Sequence, residues 1–404
     1  MRIPEAPCGS GKVANVKGRG IPLLIGQFCE TYPPMMDGVG RVMLAYCQTL
    51  AKMGHRCLYV APDEPSFGGD PGCETLLYPG LRIPTERYRI GLPRLSRCFR
   101  RKAKKLSFDV IHAHSPFLAG REGRRLAKKT GAPLVATFHS KYYDDFYKIT
   151  RSRIISRACV RYVLRFFRSC DEVWAVNEKT AQVLRDYGFC GDIITMPNGT
   201  NLASITEEQR ENAMRRFPLR EGVPVFLFAG QLDLKKNIGK ILEACALLAG
   251  RRMEFQLVLV GDGPDAGRLR RYVRELDLEG KVLFTGFLEE RSVIYALYER
   301  ADLLVFPSLY DNAPMVVREA AAMATPALLV EDSCAAEGVT HGHNGFLCED
   351  TVQSIAHGME AALPLCESIG KKAQETIPIP WDTLMQQVMS RYEALCKRKA
   401  HSPA

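Results

Sequence analysis

The chain has 404 residues, of which 46% are hydrophobic and 25% are charged, a composition typical of a soluble globular protein with room for two domains. Its net charge is +10, and residues 1–200 contain 32 of the 55 Lys and Arg residues but only 17 of the 45 Asp and Glu residues. An anionic partner is therefore expected to meet the first half of the chain. No nucleic-acid-binding motif is present, so no nucleic acid is predicted as a partner.

The sequence has the targeting and redox features of a cytoplasmic protein. Residues 1–20 form a polar, glycine-rich leader without the apolar centre of a secretory signal, and we expect this leader to be poorly ordered. No apolar run reaches the roughly 18 residues of a membrane span. The 14 cysteines are scattered singly, without metal-ligand spacing, as is typical of a reducing compartment. We expect a cytoplasmic location, with the inner face of the membrane within reach.

Short apolar runs alternate with amphipathic stretches along almost the whole chain. The apolar runs predict two series of strands, at 21–28, 56–61, 107–113, 133–138, 172–176 and 192–196, and at 223–229, 255–261, 281–285, 302–307 and 326–330. Helical patterns are found at 39–53, 117–130, 178–187, 206–216, 237–249, 265–277, 290–299, 314–324 and 381–398. This order predicts an α/β fold with two Rossmann-like, doubly wound domains that face each other across a cleft.

The two series of strands also define the predicted domains. The turn-forming tripeptide at 197–199 follows the first series, so we place an N-terminal domain at 21–200 and a C-terminal domain at 201–377. Residues 378–404 form a C-terminal helix and tail, which we expect to pack back on the N-terminal domain. Because ligands of parallel sheets bind beyond the carboxyl ends of the strands, the site is expected between the two domains.

Residues 302–330 are the most informative stretch of the sequence. A buried strand is followed by a turn and by a helix that Pro314 is expected to open. The free N–H groups of Met315 and Val316 would form an anion site at this helix start. Asp311 and Glu319 are close enough to bind hydroxyl groups beside a bound diphosphate. The alternative is an ordinary strand–helix–strand crossover with two solvated acids.

Other polar residues follow strands in the same way. Lys236 follows strand 223–229, so its ammonium is placed to reach a diphosphate. Gly38 and Gly40 permit close backbone approach at another helix start. His139 ends a strand at the predicted cleft. We expect His112 and His114 to point to opposite faces of their strand, with His114 the better placed to face the cleft.

With these motifs together, the chain resembles the family-4 retaining glycosyltransferases of the GT-B fold over roughly residues 21–398. The family's pair of glutamates separated by seven residues corresponds here to Asp311 and Glu319. Further motifs match in order along the chain: PPMMDGVG (33–40), IHAHSP (111–116), ATFHS (136–140), MPNGTN (196–201), GQLDLKKN (230–237), VGDGP (260–264) and FTGF (284–287). The segment SCAAEGVTHGHNGF (333–346) lacks the paired glycines that the family often has before the glutamate, but Glu337 and Asn344-Gly345 match.

The resemblance implies roles for these positions. His139, Lys236 and Asp311 are the catalytic candidates, and Asp37, Gly40 and His114 are expected to face the acceptor. A nucleotide sugar would be bound as co-substrate by Gly38, Gln231, Lys236, Gly263, Gly286, Phe287, Asp311, Asn312, Ala313, Pro314, Met315, Val316 and Glu319.

Two positions depart from the family pattern. Gln231 replaces an arginine, so one cation beside the diphosphate is lost, and the adjacent Lys235 is a candidate to replace it. Asp311 is one methylene shorter than the usual glutamate, which draws its carboxylate back by roughly 1.3 Å. No D-x-D motif occurs, so no metal site is expected and no cofactor beyond the nucleotide sugar.

Two basic segments suggest a membrane contact. Residues 151–168 contain six arginines and no acidic residue, with Arg157, Arg161 and Arg165 on one helical face and Ile155 away from it. Residues 94–105 form a second basic cluster. Such segments can lie on anionic lipid, although a solvated arginine face over an ordinary core is the alternative.

These observations predict a metal-independent retaining glycosyltransferase that moves a hexosyl group from a UDP- or GDP-linked sugar to a hydroxyl of a lipid or glycan acceptor. A degenerate glycosyltransferase that binds a nucleotide or acts as a membrane scaffold is the alternative, because Gln231 and Asp311 depart from the pattern. A sugar-nucleotide epimerase would need an acid–base pair that the sequence does not reveal.

Overall fold

The computed structural model of the chain describes residues 22–33, 37–65, 69–82, 89–202 and 204–401. The polar leader at 1–20, part of the loop at 33–40 and the end of the tail at 402–404 lie outside the described residues.

A seven-stranded parallel sheet organises the first half of the chain. The strands of this half are β1 (Leu24–Phe28), β2 (Arg56–Pro62), β3 (Glu74–Tyr78), β4 (Gly80–Arg82), β5 (Arg89–Gly91), β6 (Val110–Ala113), β7 (Leu134–Phe138), β8 (Glu172–Ala175) and β9 (Ile193–Thr195). The sheet has the order β3-β2-β1-β6-β7-β8-β9, and β4 and β5 form a separate antiparallel pair. The chain builds one side of the sheet from β1 and returns through β6 to build the other, which makes the sheet doubly wound.

A six-stranded parallel sheet organises the second half. Its strands are β10 (Val225–Ala229), β11 (Gln256–Val260), β12 (Val282–Gly286), β13 (Leu303–Phe306), β14 (Ala327–Val330) and β15 (Phe346–Cys348). They have the order β12-β11-β10-β13-β14-β15, so the winding direction changes between β10 and β13. All residues of β10, β11 and β13 are buried, because helices cover both faces of a parallel sheet.

Helices connect most of the strands. They are α1 (Gly38–Lys52), α2 (Arg97–Lys104), α3 (Leu118–Thr130), α4 (Tyr142–Thr150), α5 (Arg153–Phe167), α6 (Glu178–Asp186), α7 (Glu207–Arg216), α8 (Ile238–Gly250), α9 (Ala266–Glu275), α10 (Arg291–Arg300), α11 (Met315–Ala322), α12 (Val352–Ala362), α13 (Cys366–Thr376) and α14 (Trp381–His401), with short 3₁₀ turns at Leu234–Lys236, Cys334–Ala336 and Leu363–Leu365. Among the described residues, no helix is both long enough and apolar enough to cross a membrane.

The last helix, α14, returns to the first sheet. Its buried residues, such as Trp381 and Leu384, share a core cluster with α1 and with strands β1, β2 and β8. Arg391 donates to the buried Glu172 carboxylate at 2.8 Å, and Tyr392 stacks on Trp174 with ring centroids 5.7 Å apart. The core of the first sheet is therefore completed by the end of the chain.

The two parallel sheets confirm the predicted α/β class with two doubly wound, Rossmann-like halves. All eleven predicted strands are present, with ends shifted by a few residues. The sequence patterns missed β3, β4, β5 and β15. The strands β3 and β15 lie at the edges of the two parallel sheets, and β4 and β5 form the separate antiparallel pair. All four are three to five residues long and only partly buried. Such short, half-exposed runs carry little periodic signal.

Candidate functional site

Four adjacent strands of the second sheet carry the predicted donor residues at their carboxyl ends. Strand β10 leads to Gln231 and Lys236, β11 to Gly263, β12 ends at Gly286, and β13 leads to Asp311. The order β12-β11-β10-β13 places these loops side by side. The fold thus brings together residues that are up to 80 positions apart in the sequence.

Lys236 and Asp311 form a close ion pair at the centre of this edge. Lys236 ends a 3₁₀ turn and is buried, and its Nζ lies 2.5 Å and 2.7 Å from the two carboxylate oxygens of Asp311. The Ser308 hydroxyl also donates to Asp311 Oδ2 at 2.6 Å. The short aspartate side chain is therefore held back against its own loop, and its charge balances that of the lysine.

Lys235 and Gln231 differ in their surroundings. The Lys235 ammonium lies 3.8 Å from the centre of the Tyr310 ring and 3.4 Å from Asp233 Oδ2. Its charge is thus directed to this ring and carboxylate. Gln231 is exposed at the end of β10, where its amide is accessible to a ligand.

Glu319 is buried in helix α11 and paired with a cation. Arg291 Nη2 donates to Glu319 Oε1 at 2.5 Å, and the Tyr298 hydroxyl donates to Oε2 at 3.4 Å. Burial by itself lowers the pKa of Arg291, but the Glu319 and Tyr295 side chains beside it raise that pKa above its usual value. The acid is therefore fixed in an ionic contact with Arg291 that also involves Tyr298.

Helix α11 begins one residue later than the sequence suggested. Pro314 has an extended ψ of 124° and precedes the helix, whose first residue is Met315. No side chain caps this helix start, so the N–H groups of Met315 and Val316 remain the candidates for an anion contact. Met315 also packs against the core cluster that contains Trp381.

The glycines of this edge allow the loops to approach one another. A Cβ atom on Gly263 would lie only 2.5 Å from the Leu232 carbonyl oxygen. Gly286 has a φ of +71°, and its carbonyl accepts from Gly261 N at 3.0 Å. Phe287 follows with 59% of its surface exposed. The two loops therefore form a backbone-lined edge with one exposed aromatic ring.

On the first sheet, the predicted residues follow β1, β6 and β7, which are adjacent strands. Asp37 caps helix α1, because its carboxylate accepts from Gly40 N at 2.8 Å. Gly38 is exposed, and a Cβ there would meet nothing within 4 Å. The start of α1 thus presents backbone with open space beside it.

Three histidines lie side by side behind this edge, and the predicted orientation of two of them is wrong. The His112 and His114 rings stack with centroids 4.2 Å apart, because residues two apart in an extended strand share a face. His114 is fully buried, and its Nδ1 lies 3.1 Å from His139 Nε2. Burial lowers the pKa of His139 to about 3. His139 is therefore neutral at pH 7, and His114 lies behind it.

The loop that contains Asp311 connects the two sheets. Asn312 Nδ2 donates to the His139 carbonyl at 2.6 Å, and the Asn312 carbonyl accepts from Asn177 Nδ2 at 2.7 Å. The Asn312 Oδ1 atom is buried and has no hydrogen-bond partner among the described residues. Because an unsatisfied buried acceptor is costly, this atom is a candidate to accept a hydrogen bond from a bound group. Further contacts join Lys141 to Leu309, Asp145 to Tyr310 and Asn198 to Ala313.

The two basic segments are largely exposed, and a residue beside or within each contacts helix α3. All six arginines of residues 151–168 are exposed. Arg121 of α3 lies 3.6 Å from the Tyr162 ring centre, and Arg94 Nε lies 3.9 Å from Glu122 of α3. Ile155, expected to lie away from the arginine face, is 50% exposed, and Ile154 beside it is 82% exposed. The surface is therefore both basic and apolar.

The sequence did not reveal the partners of the site residues. Arg291 and Glu319 lie on different helices, so no spacing connects them, and Asn177 reaches Asn312 from the other half of the chain. Ser308 was within reach of sequence reasoning, since a serine three residues before an acid often bonds within a turn.

Two family models match the chain. The model described as "Glycosyltransferase Family 4" matches residues 36–204, and the model described as "Glycosyl transferases group 1" matches residues 209–376. Together they match residues of both sheets, and β1 precedes the first match.

Relatives and solved structures agree with this match. The alpha-monoglucosyldiacylglycerol synthase of Streptococcus pneumoniae is 24% identical over 75% of this chain and 70% of that synthase. The GDP-mannose-dependent alpha-mannosyltransferase of Corynebacterium glutamicum is 25% identical over 92% of this chain and 89% of its own. The crystal structure of HepE from Anabaena with UDP and glucose has a TM-score of 0.74 at 18% identity, covering 92% of this chain and all of HepE. This structure shares the two-sheet fold.

The buried histidines predict how stability depends on pH. His112, His114 and His139 have pKa values lowered chiefly by burial, so the unfolded chain binds more protons below about pH 6.5. Stability is therefore lost as the pH falls through this value, by about 2 kcal/mol per histidine at pH 5. The free energy of unfolding can be measured with urea at pH 7.5 and at pH 5.0. Between these two pH values it should fall by about 2 kcal/mol less in His112→Gln than in the wild type.

The exposed His357 provides the control, and the free energy of unfolding of His357→Gln should change with pH as that of the wild type does. An equal decrease in His112→Gln and the wild type would contradict a neutral buried His112.

Proposed function

Because this chain belongs to the family-4 glycosyltransferases of the GT-B fold, we propose that it moves a hexosyl group from a nucleoside diphosphate sugar to a hydroxyl of a lipid or glycan acceptor. The donor nucleotide is uridine or guanosine diphosphate. The observation that carries this proposal is the placement of Lys236, Asp311 and Glu319 around one edge of the second sheet, opposite His139. The names of the relatives, which include a glucosyl-lipid synthase and a GDP-mannose-dependent enzyme, support it.

The second half of the chain, 201–377, would hold the donor. In this proposal the diphosphate lies between Lys236 and the start of α11, where the ammonium and the backbone N–H groups offer positive charge. Glu319 binds ribose hydroxyls, and Asp311 with the unpaired Asn312 Oδ1 binds hydroxyls of the sugar. The base lies against the backbone of Gly286 and Phe287. The remaining lining of this pocket would be supplied by Gly263, Gln231, Ala313 and Pro314.

The first half, 21–200, would hold the acceptor near the start of α1, where Asp37, Gly38 and Gly40 lie. His139 faces both substrates and, being neutral, contacts the sugar by hydrogen bonding rather than by charge. His114 acts through His139, since it is buried behind that ring. The C-terminal helix within 378–404 packs against this half and would hold its core in place as the two halves close.

The reaction proposed is a front-face displacement with retention. The bond from the anomeric carbon to the phosphate oxygen breaks, and a bond to the acceptor oxygen forms on the same face. The departing phosphate oxygen takes the proton of the acceptor hydroxyl, and Lys236 stabilises the charge that remains on the diphosphate. Closure of the two halves excludes water, which protects the donor from hydrolysis.

This assignment needs no metal ion. Lys236 and the start of α11 supply the positive charge that a divalent cation supplies to a diphosphate in other transferases, and no D-x-D motif is present to hold such a cation. Activity is therefore expected without added metal.

The basic surface formed by 94–105 and 151–168 would place the enzyme at the inner face of the membrane. Arginines can neutralise anionic headgroups, and the exposed Ile149, Ile154 and Ile155 can enter the boundary between headgroups and acyl chains. A lipid-linked acceptor would then meet the first half of the chain from the membrane side. Glycolipids or glycans of the cell envelope are the products expected from such an enzyme.

Donor binding can be tested by thermal unfolding with UDP-, GDP- and ADP-sugars. One class of nucleotide sugar should raise the midpoint, because a ligand that binds only the folded state stabilises it. Glu319→Ala should abolish the shift, since the ribose loses its carboxylate, whereas Glu279→Ala, on the exposed surface, should keep it. A shift that persists in Glu319→Ala would show that the donor site is wrongly placed.

Turnover tests the chemistry. Without an acceptor, the donor found in this way should be hydrolysed slowly. With a hydroxyl acceptor, its sugar should be transferred with retention of the anomeric configuration, as read by proton NMR. Adding EDTA should leave the rate of transfer unchanged. Lys236→Ala should lower kcat by about 100-fold or more, and Lys235→Ala by much less, because its ammonium lies on Tyr310. Donor binding without turnover on any acceptor would instead fit a degenerate scaffold.

Membrane contact can be tested by co-sedimentation with vesicles containing anionic lipid. Binding should fall as salt rises, because the attraction is screened. The triple variant Arg157→Glu/Arg161→Glu/Arg165→Glu should lose it, while Arg271→Glu/Arg274→Glu in α9 should not. Equal binding of both variants would exclude the basic surface as the contact.

A further inference from the structure

A chain of buried polar side chains connects the C-terminal helix to His139. Gln27 is fully buried in the middle of the first sheet, where an amide is costly unless all its groups are paired. Its Nε2 donates to the Tyr392 hydroxyl at 3.2 Å, and its Oε1 accepts from His114 Nε2 at 2.8 Å. His114 Nδ1 then lies 3.1 Å from His139 Nε2. Four side chains thus form one continuous hydrogen-bonded chain.

The Tyr392 hydroxyl is well fixed at the far end of this chain. Its ring stacks on Trp174, and its oxygen lies 2.6 Å from His112 Nδ1. Since the hydroxyl accepts from Gln27, its own hydrogen is directed to His112. His112 Nε2 is then left to donate to Thr137 Oγ1 at 2.7 Å. These contacts hold the Gln27 amide with its nitrogen towards α14 and its oxygen towards His114.

The direction of the chain fixes the proton on each imidazole. Burial lowers the pKa of His114 and His139, so each ring is neutral and carries one N–H. His114 Nε2 must donate to the Gln27 oxygen, which leaves His114 Nδ1 as an acceptor. His139 Nε2 must then carry the hydrogen that lies between the two rings. The remaining nitrogen, His139 Nδ1, is left with a lone pair.

We propose that Gln27, Tyr392 and His114 are positioning residues that hold His139 in the tautomer protonated on Nε2. His139 Nδ1 is thereby an obligate acceptor, which takes a hydrogen bond from a hydroxyl group of the bound sugar. No hydrogen bond to Nδ1 is present within the described part of the chain, so the nitrogen is available for that role. Only the identity of the ligand rests on the proposed function.

The proton position can be read without any substrate. In protein labelled with ¹⁵N-histidine, a neutral ring shows one protonated and one bare nitrogen, and the His139 signals are assigned by their loss in His139→Asn. The wild type should show the proton on Nε2. A wild-type spectrum with the proton on Nδ1 would overturn the proposal, whatever the enzyme transfers.

Variants test which residues set the proton. Gln27→Met removes the amide oxygen and nitrogen from the hydrogen-bonded chain, so His139 should become a mixture of tautomers. Tyr392→Phe should have the same effect to a lesser extent, because the Gln27 amide loses only its hydrogen bond to the Tyr392 hydroxyl. Tyr46→Phe is the matched control, since its ring packs on His112 and His114 but none of the hydrogen bonds in the described residues joins its hydroxyl to them. An unchanged His139 spectrum in Gln27→Met, with thermal unfolding showing a folded protein, would also overturn the proposal.

Kinetics separate positioning from a purely structural role. With the donor identified by thermal shift, Gln27→Met should lower kcat by about tenfold with little change in the donor KM, the cost of one misdirected hydrogen bond. A proportional loss of folded protein with unchanged kcat per folded molecule would show that Gln27 only supports the core. Because the NMR result needs no donor, it stands even if the proposed transfer reaction fails.

Discussion

The hydrogen bond from the Asn312 amide to the His139 carbonyl brings the carboxyl edges of the two sheets together. The position of the Asp311 loop relative to the first sheet depends on this contact, because it sets the loop before α11 against the end of β7. Asn177 and Asn198 hold the same loop by its backbone carbonyls. The loop that carries Asp311 is therefore held by residues of both halves of the chain.

The charges around this loop are balanced by ion pairs within the protein. Lys236 is paired with Asp311, and Arg291 is paired with Glu319, so both cations are already neutralised by nearby carboxylates. In the proposed function, a diphosphate would compete with Asp311 for Lys236. The carboxylate released in this way would be free to accept from a sugar hydroxyl, which links binding of the phosphate to recognition of the sugar.

Much of this arrangement could be predicted from the sequence. The central strands could be located because strands that are buried on both faces are continuous apolar runs. The residues that follow them could be placed because the carboxyl ends of parallel strands lie at one edge of the sheet. The pairing of Arg291 with Glu319 could not be foreseen, because it depends on how two helices pack. The shared face of His112 and His114 follows from strand geometry, and the predicted opposite orientation is wrong for that reason.

The shorter acid at position 311 and the missing arginine at position 231 both change the arrangement of charge at the carboxyl edge of the second sheet. With Gln231 uncharged, Lys236 would be the cation that meets the diphosphate from β10 in the proposed function, and a glutamate at position 311 would carry its carboxylate one methylene further from the loop. Asp311 is drawn back onto Ser308 instead, so its carboxylate approaches the lysine from within the loop. From there Asp311 still neutralises Lys236, so with the arginine lost, the uncapped start of α11 would supply much of the positive charge that a diphosphate meets in the proposed function.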